Sequence, residues 1–190
     1  NNNCAFIAKF DQNGIRTYGT YYGGSGTTSN YSYDYGLSIK IDNFNNIVLL
    51  GKTTSSNDIS TSSSHQSNLA GGSDLFIVKF SPIFTRIWAT YIGGNNDEFA
   101  AGYPKEGSNS LTIDNQDNII ISGNSYSNQT TNIAYNGFQN TSYPGYYSSI
   151  PFLVKFNSSG TRLWGTYYGL AQFLYFNSFS INASSCISDN

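Results

Sequence analysis

The chain has 190 residues, only 11% of them Asp, Glu, Lys or Arg, and a net charge of -2. That length suits one domain with a sizeable core, and so little charge excludes a basic surface for nucleic-acid phosphates. No apolar run approaches bilayer-spanning length and no apolar leader stands at the N-terminus. Polarity comes from Asn, Ser, Thr, Gly and Tyr. Methionine is absent, so Asn1 is not an initiator and a processed or excised extracellular segment is expected.

Taken in chain order, the first predicted element is Phe6-Ile7-Ala8-Lys9-Phe10, whose alternation has the period of a strand. Asp11-Gln12-Asn13-Gly14 reads as a tight turn, and Arg16 to Tyr22, rich in aromatic and β-branched residues, as the returning strand ending at Gly23-Gly24. A second hairpin follows: Leu37 to Asp42, a polar turn Asn43-Phe44-Asn45-Asn46, and the apolar run Ile47 to Gly51. The same four-part sentence then recurs. Phe76 to Phe80 leads to Arg86 to Tyr91, and Leu111 to Asp114 leads through Asn115-Gln116-Asp117-Asn118 to Ile119-Ile120-Ile121-Ser122-Gly123. Ser81-Pro82-Ile83-Phe84 replaces the Gly-ended turn, so a different turn is expected there. A third copy runs from Phe152-Leu153-Val154-Lys155-Phe156 to Arg162-Leu163-Trp164-Gly165-Thr166-Tyr167, with Phe179-Ser180-Ile181-Asn182 matching the third strand and Ala183 to Cys186 the turn.

Self-similarity at a fixed spacing means one supersecondary unit packed on copies of itself. The expected fold is all-β: a β-propeller-like array of four-stranded antiparallel blades, two complete and a third partial. The blades are expected at 1–73, with a Ser/Thr-rich loop, at 74–150, with an Asn/Tyr-rich loop, and at 151–190. Closed propellers typically need four to eight blades, so this chain does not close a ring alone.

The recurring words Phe-x-x-Lys-Phe, Trp-x-Thr-Tyr followed by Gly-Gly, and Ile-Asp-x-x-x-Asn-Ile followed by Gly-x-Thr or Gly-x-Ser resemble the bacterial SBBP-type β-propeller repeat. The resemblance covers most of the chain outside the polar loops 52–73 and 124–150, with departures at Tyr18, Leu170 and Tyr31 to Tyr35. It implies a secreted or cell-surface repeat array, and it transfers no catalytic residue.

Lys9, Lys79 and Lys155 recur at one place in each copy; a row of ammonium groups for an anionic ligand is weighed against lysines paired locally with carboxylates, and the second is favoured because buried charge is costly unpaired. Asp42 and Asp114 open the third-to-fourth strand turns. Their spacing is wrong for a calcium loop, so an Asx-type cap is expected. Asp97-Glu98 is expected to cap a loop. The only histidine, His65, lies in a serine-dense stretch that reads as a solvated loop without a positioned nucleophile. No catalytic, cofactor or metal residue is assigned, and no enzyme activity is expected.

Tyr126, Tyr135, Tyr143, Tyr146 and Tyr147 share one long loop, a mixture suited to contact surfaces and sugar stacking, weighed equally against burial beneath the loop. Candidate glycosylation sequons stand at Asn30, Asn128, Asn140, Asn157 and Asn182. Cys4 and Cys186 lie near the two ends. Sheets stacked at about 10 Å separate them by roughly 20 Å, beyond the ~7 Å reach of a disulfide, so a link is expected only between copies. The expected function is a noncatalytic extracellular or cell-surface module for adhesion, scaffolding or filament assembly, with a carbohydrate-binding or carbohydrate-processing domain as the alternative. Expected partners are other copies, further blades of a longer chain, or glycans, with no nucleic acid and no membrane insertion.

Overall fold

A computed structural model describes residues 3–26, 32–100, 110–128, 132–142, 149–169 and 186–188. These form eleven strands and no helix: β1 (Ala5–Phe10), β2 (Arg16–Tyr22), β3 (Asp34–Ile41), β4 (Ile47–Thr53), β5 (Asp74–Phe80), β6 (Arg86–Ile92), β7 (Glu98–Ala100), β8 (Leu111–Ile113), β9 (Ile119–Ser125), β10 (Ile150–Phe156) and β11 (Arg162–Tyr167). The fold is all-β, and every strand-to-strand pairing in its sheets is antiparallel.

Three sheets result. The first is the hairpin β1-β2, the second has the order β3-β4-β5-β6, and the third has β11-β10-β9 with β7 and β8 both on the outer edge of β9. β7 pairs with residues 123–125 and β8 with residues 119–121, so the two are segments of one interrupted strand. The expected boundaries at 73/74 and 150/151 are crossed by hydrogen-bonded ladders, because β4 pairs with β5 and β9 with β10. The second and third sheets therefore each join the second hairpin of one sequence copy to the first hairpin of the next. Periodicity alone is indifferent to this phase: a repeat has two long connections, and only tertiary structure decides which stays within a sheet and which crosses to another.

Tight turns close the hairpins in one recurring geometry. Asp11 N, Ser81 N and Asn157 N donate to the carbonyls of Ile15, Thr85 and Thr161, while Gly14 N, Phe84 N and Gly160 N donate back to residues 11, 81 and 157. The expectation of a different turn at 81–84 is thus corrected. Phe84 takes the glycine position with φ of 63°, beside 77° for Gly14 and 87° for Gly160. A left-handed conformation is unfavourable for a residue with a Cβ. Here the cost is offset by burial of the Phe84 ring, stacked 3.9 Å from that of Tyr18 in the neighbouring sheet.

Strand alternation sends two apolar sets to opposite faces. On one face of the second sheet Ile47, Leu49, Phe76, Val78, Phe80 and Tyr91 meet Ala5, Ile7 and Tyr22 of the first sheet. On the other face Val48, Leu50, Leu75, Ile77, Trp88 and Ile92 meet Phe152, Val154, Phe156, Ile119, Ile121 and Tyr167 of the third. The sheets are layered with the same sense at both interfaces. The face carrying Ala5 and Ile7 is equivalent to the one carrying Leu75 and Ile77, and each packs on the Phe-rich face of the next sheet. Burying a Phe or Ile side chain is worth about 1.5–3 kcal/mol, so these two layers dominate the stability.

Candidate functional site

Two surfaces combine exposed aromatic rings with fixed backbone: the outer face of β1-β2, and a cavity between the second and third sheets.

On β1 and β2, Phe6, Phe10 and Tyr21 are 73%, 58% and 78% exposed, whereas their counterparts Phe76, Phe80 and Tyr91 are 0%, 5% and 0% exposed. Phe6 and Tyr21 lie opposite each other in the ladder, so the exposed rings form one patch. Among the described residues β1 pairs along its length with β2 alone. Its equivalents β5 and β10 each carry a further strand on their other edge.

Those edge strands bring a set of contacts repeated in the two completed sheets. Asp42 Oδ2 lies 2.8 Å from Lys79 Nζ, and Asp114 Oδ2 lies 2.8 Å from Lys155 Nζ. Lys79 Nζ and Trp88 Nε1 also donate to the carbonyl of Ser158 in the next sheet. The local pairing expected of these two lysines is present, and so is the Asx cap: Asp42 Oδ1 accepts Phe44 N and Asn46 N, and Asp114 Oδ1 accepts Gln116 N and Asn118 N. Burial by itself would raise both carboxyls. The lysine ammonium and the Asn46 or Asn118 donors outweigh it, holding Asp42 below the usual carboxylate range and bringing Asp114 down to about 2. Gly51 and Gly123 sit opposite Phe76 and Phe152, where a Cβ would collide with the phenylalanine ring.

The loops after β4 and β9 belong to the same scheme. Ile59 and Ile133 are fully buried, and Thr61 N and Tyr135 N donate to the carbonyls of Ala89 and Gly165. Gln66 and Gln139 clamp the next hairpin. Their amides donate to Thr90 Oγ1 and Thr166 Oγ1, their carbonyls accept Tyr91 N and Tyr167 N, and their side-chain oxygens accept Gly93 N and Gly169 N. This repetition escaped the sequence reading because only Ile, Asn and Gln recur, at unequal spacing, within polar stretches.

A second repeated carboxylate secures the link between sheets. Asp34 Oδ2 accepts Gly24 N and Ser55 Oγ, and Oδ1 accepts Thr53 Oγ1. Glu98 does the same for Gly94 N, Ser125 Oγ and Ser127 Oγ. Glu98 therefore caps a loop as expected, and does so from inside β7. Burial pushes its carboxyl up to about 8 against the lowering effect of the serine bonds; burial likewise raises Asp74, bonded to Ala70 N, Gly71 N and Gln66 Nε2, to about 6.

The cavity, of about 550 Å³, is lined by Thr61, Ser64, His65, Trp88, Tyr135 and Arg162 among others. Tyr135 is 47% exposed, with the Arg162 guanidinium carbon 4.9 Å from its ring centre. His65 departs from the solvated loop expected of it. Its Nε2 lies 2.8 Å from the Asn132 carbonyl and its ring meets Phe156 edge-on, and burial holds its pKa below the ordinary histidine value. It ties two loops together. Of the tyrosines grouped by sequence, Tyr126 packs edge-on against Phe99, away from the cavity lining. Tyr143, Tyr146 and Tyr147 lie outside the described residues.

Asn128 and Asn140 are exposed; the Asn140 side chain accepts Gly137 N and donates to its carbonyl, and the Asn157 side chain accepts Ser159 N and Thr161 N in its turn. Asn30 and Asn182 lie outside the described residues. Cys4 and Cys186 are both free thiols, with Cys186 Sγ 3.6 Å from the Ile120 carbonyl. Among the described residues no cluster of three or more His, Cys, Asp or Glu side chains could hold a metal ion. No protein-family model matches this sequence, and no curated protein matches it.

Proposed function

We propose that the protein is a noncatalytic extracellular β-blade module for adhesion, scaffolding or filament assembly, its sheets being blades of a propeller-like array of the SBBP type. The observation that carries this reading is the Phe-rich face of β1-β2: the same strand pair is covered in two copies and bare in the third. An apolar patch of this kind marks a surface for another protein layer. The ionisable groups support it as well. Asp42, Asp114, Asp34, Glu98, Asp74 and His65 each hold a turn, a loop or an ion pair together, which occupies them structurally. Light scattering and electron microscopy of native material are expected to show end-to-end assemblies or continuous blade arrays; discrete monomers with one bare face would sink the proposal.

A second reading, carbohydrate binding, is favoured by the hydroxyl-lined cavity with Tyr135 at its wall. Glycan-array binding that disappears in Tyr135→Ala would support it over the first.

A further inference from the structure

The chain contains two worked examples of how its first hairpin is completed. β5-β6 and β10-β11 are each served by one half-repeat: a hairpin whose turn carries an aspartate and whose second strand carries a glycine, then a loop with a buried isoleucine and a glutamine clamp. Residues 34–73 serve β5-β6, and residues 98–100, 110–128 and 132–142 serve β10-β11. β1-β2 has the receiving half of the contacts that the two completed hairpins share. Lys9 stands where Lys79 and Lys155 stand, Phe6 where Phe76 and Phe152 stand, and Thr20, Tyr21 and Gly23 where the glutamines clamp Thr90, Tyr91 and Gly93. None of the donating groups reaches them among the described residues.

We infer that the edge of β1 and the exposed face of β1-β2 form a docking site for a half-repeat from outside residues 1–190. That partner adds an antiparallel strand with glycine opposite Phe6, an aspartate paired with Lys9, and a glutamine on Thr20, Tyr21 and Gly23. The inference rests on the blade reading above and names the partner that the reading leaves open.

Two features set this occupant apart from a second copy of residues 1–190. The chain's last half-repeat, Phe179-Ser180-Ile181-Asn182, has asparagine where Asp42 and Asp114 stand, so it brings no carboxylate to Lys9. Residues 186–188 also lie against their own sheet, with Ser188 Oγ 3.3 Å from the Ile113 carbonyl. The register further separates strand donation from a link between Cys4 and Cys186. Cys4 corresponds to Asp74, which faces Thr53, and Cys186 corresponds to Asn46, beyond the pair Ile47 and Phe80 at the other end of the strand. In a strand donated in that register the sulfurs are roughly 20 Å apart, so the disulfide and the donated strand exclude each other.

The test titrates the chain with a synthetic polypeptide of the sequence 34–73 and follows hydrogen exchange of β1. Amide exchange across β1 is expected to slow at least tenfold at saturation, with β10 and β11 unchanged. A G51V polypeptide is expected to bind at least tenfold more weakly and to recover on a Phe6→Ala chain, where the ring it strikes is gone. An Asp42→Asn polypeptide loses severalfold affinity on the unmodified chain and little on a Lys9→Gln chain.

As a control against self-association of the free polypeptide, the same half-repeat is fused ahead of Asn1. The thermal midpoint of that fusion is expected to fall when the glycine equivalent to Gly51 becomes valine. Failure of β1 protection in both formats overturns the inference, as does protection indifferent to both Gly51 and Asp42. Self-association of the chain alone that protects β1 overturns it in favour of a second copy. Each of these outcomes leaves the proposed function to be judged on native material, whereas a discrete native monomer that binds the polypeptide upholds the inference and counts against the proposed function alone.

Discussion

The hairpins β1-β2 and β5-β6 share a sequence sentence and a backbone, down to the register shift at the last pair of each ladder, Lys9 and Phe10 in one and Lys79 and Phe80 in the other. They differ in surroundings. Phe6 is 73% exposed and Phe76 is fully buried. These residues encode a hairpin with two sticky faces and one open edge; burial is conferred by the neighbour.

Truncating the two phenylalanines is expected to separate the hairpins most. Phe76→Ala is expected to destabilise the protein by about 3–5 kcal/mol through transfer and cavity costs, and Phe6→Ala to stay within about 0.5 kcal/mol, measured by urea unfolding. Equal losses would mean that Phe6 is covered in solution. The lysines come next. Lys79→Met leaves the Asp42 carboxylate buried beside an apolar chain and is expected to cost about 3 kcal/mol, while Lys9→Met costs less than about 0.5 kcal/mol; chemical unfolding at pH 7 reads both.

Gln66→Ala strips Gly93 N of its acceptor and removes one of the two donors to Asp74 Oδ2, leaving only Ala70 N on that oxygen. Its expected cost is about 1–3 kcal/mol, seen as faster hydrogen exchange at Gly93 before any global unfolding. The smallest effect is a change of slope with pH. Glu98 and Asp74 have folded pKa values of about 8 and about 6, raised from 4.5 and 3.8, so the folded state holds more protons between those values. Their stabilisation is complete below the unfolded values and is lost as pH rises through 6 and 8. Asp114, lowered to about 2 from 3.8, acts oppositely: its contribution is present above 3.8 and lost as pH falls toward 2. Glu98→Gln is expected to flatten the thermal midpoint against pH between 4.5 and 8 while leaving the acid limb in place. An unchanged alkaline limb would show that Glu98 does not titrate there.

Much of this was legible in the residues. Alternation at Phe6 to Phe10 and its copies located the strands, and the Asp42 and Asp114 turns announced their caps through an Asx residue four positions before an asparagine. Costly buried charge likewise predicted local carboxylates for Lys9, Lys79 and Lys155; Lys79 and Lys155 have them, whereas Lys9 is exposed and has none among the described residues. Elsewhere the signal was too sparse. His65, alone in a run of serines, carries no local sign that its imidazole will reach the Asn132 carbonyl of a later loop. Nor does Phe84 announce a left-handed turn, because the stacking on Tyr18 that offsets it comes from another sheet. The tyrosines grouped by their shared loop part company for the same reason, Tyr126 going to Phe99 and Tyr135 to the cavity.

By itself the sequence determined the hairpins, since alternation, turn residues and β-branched content act over a few neighbours and need nothing distant. It also determined which side chains repeat. The tertiary structure alone decided the phase of the sheets, which hairpin's edge joins which, and therefore that β5 and β10 are completed while β1 has an open edge among the described residues. Edge pairing and face packing are long-range contacts, and near-identical hairpins present near-identical edges. Only the path of the connecting loops, pinned by Ile59, Gln66, Ile133 and Gln139, selects among them.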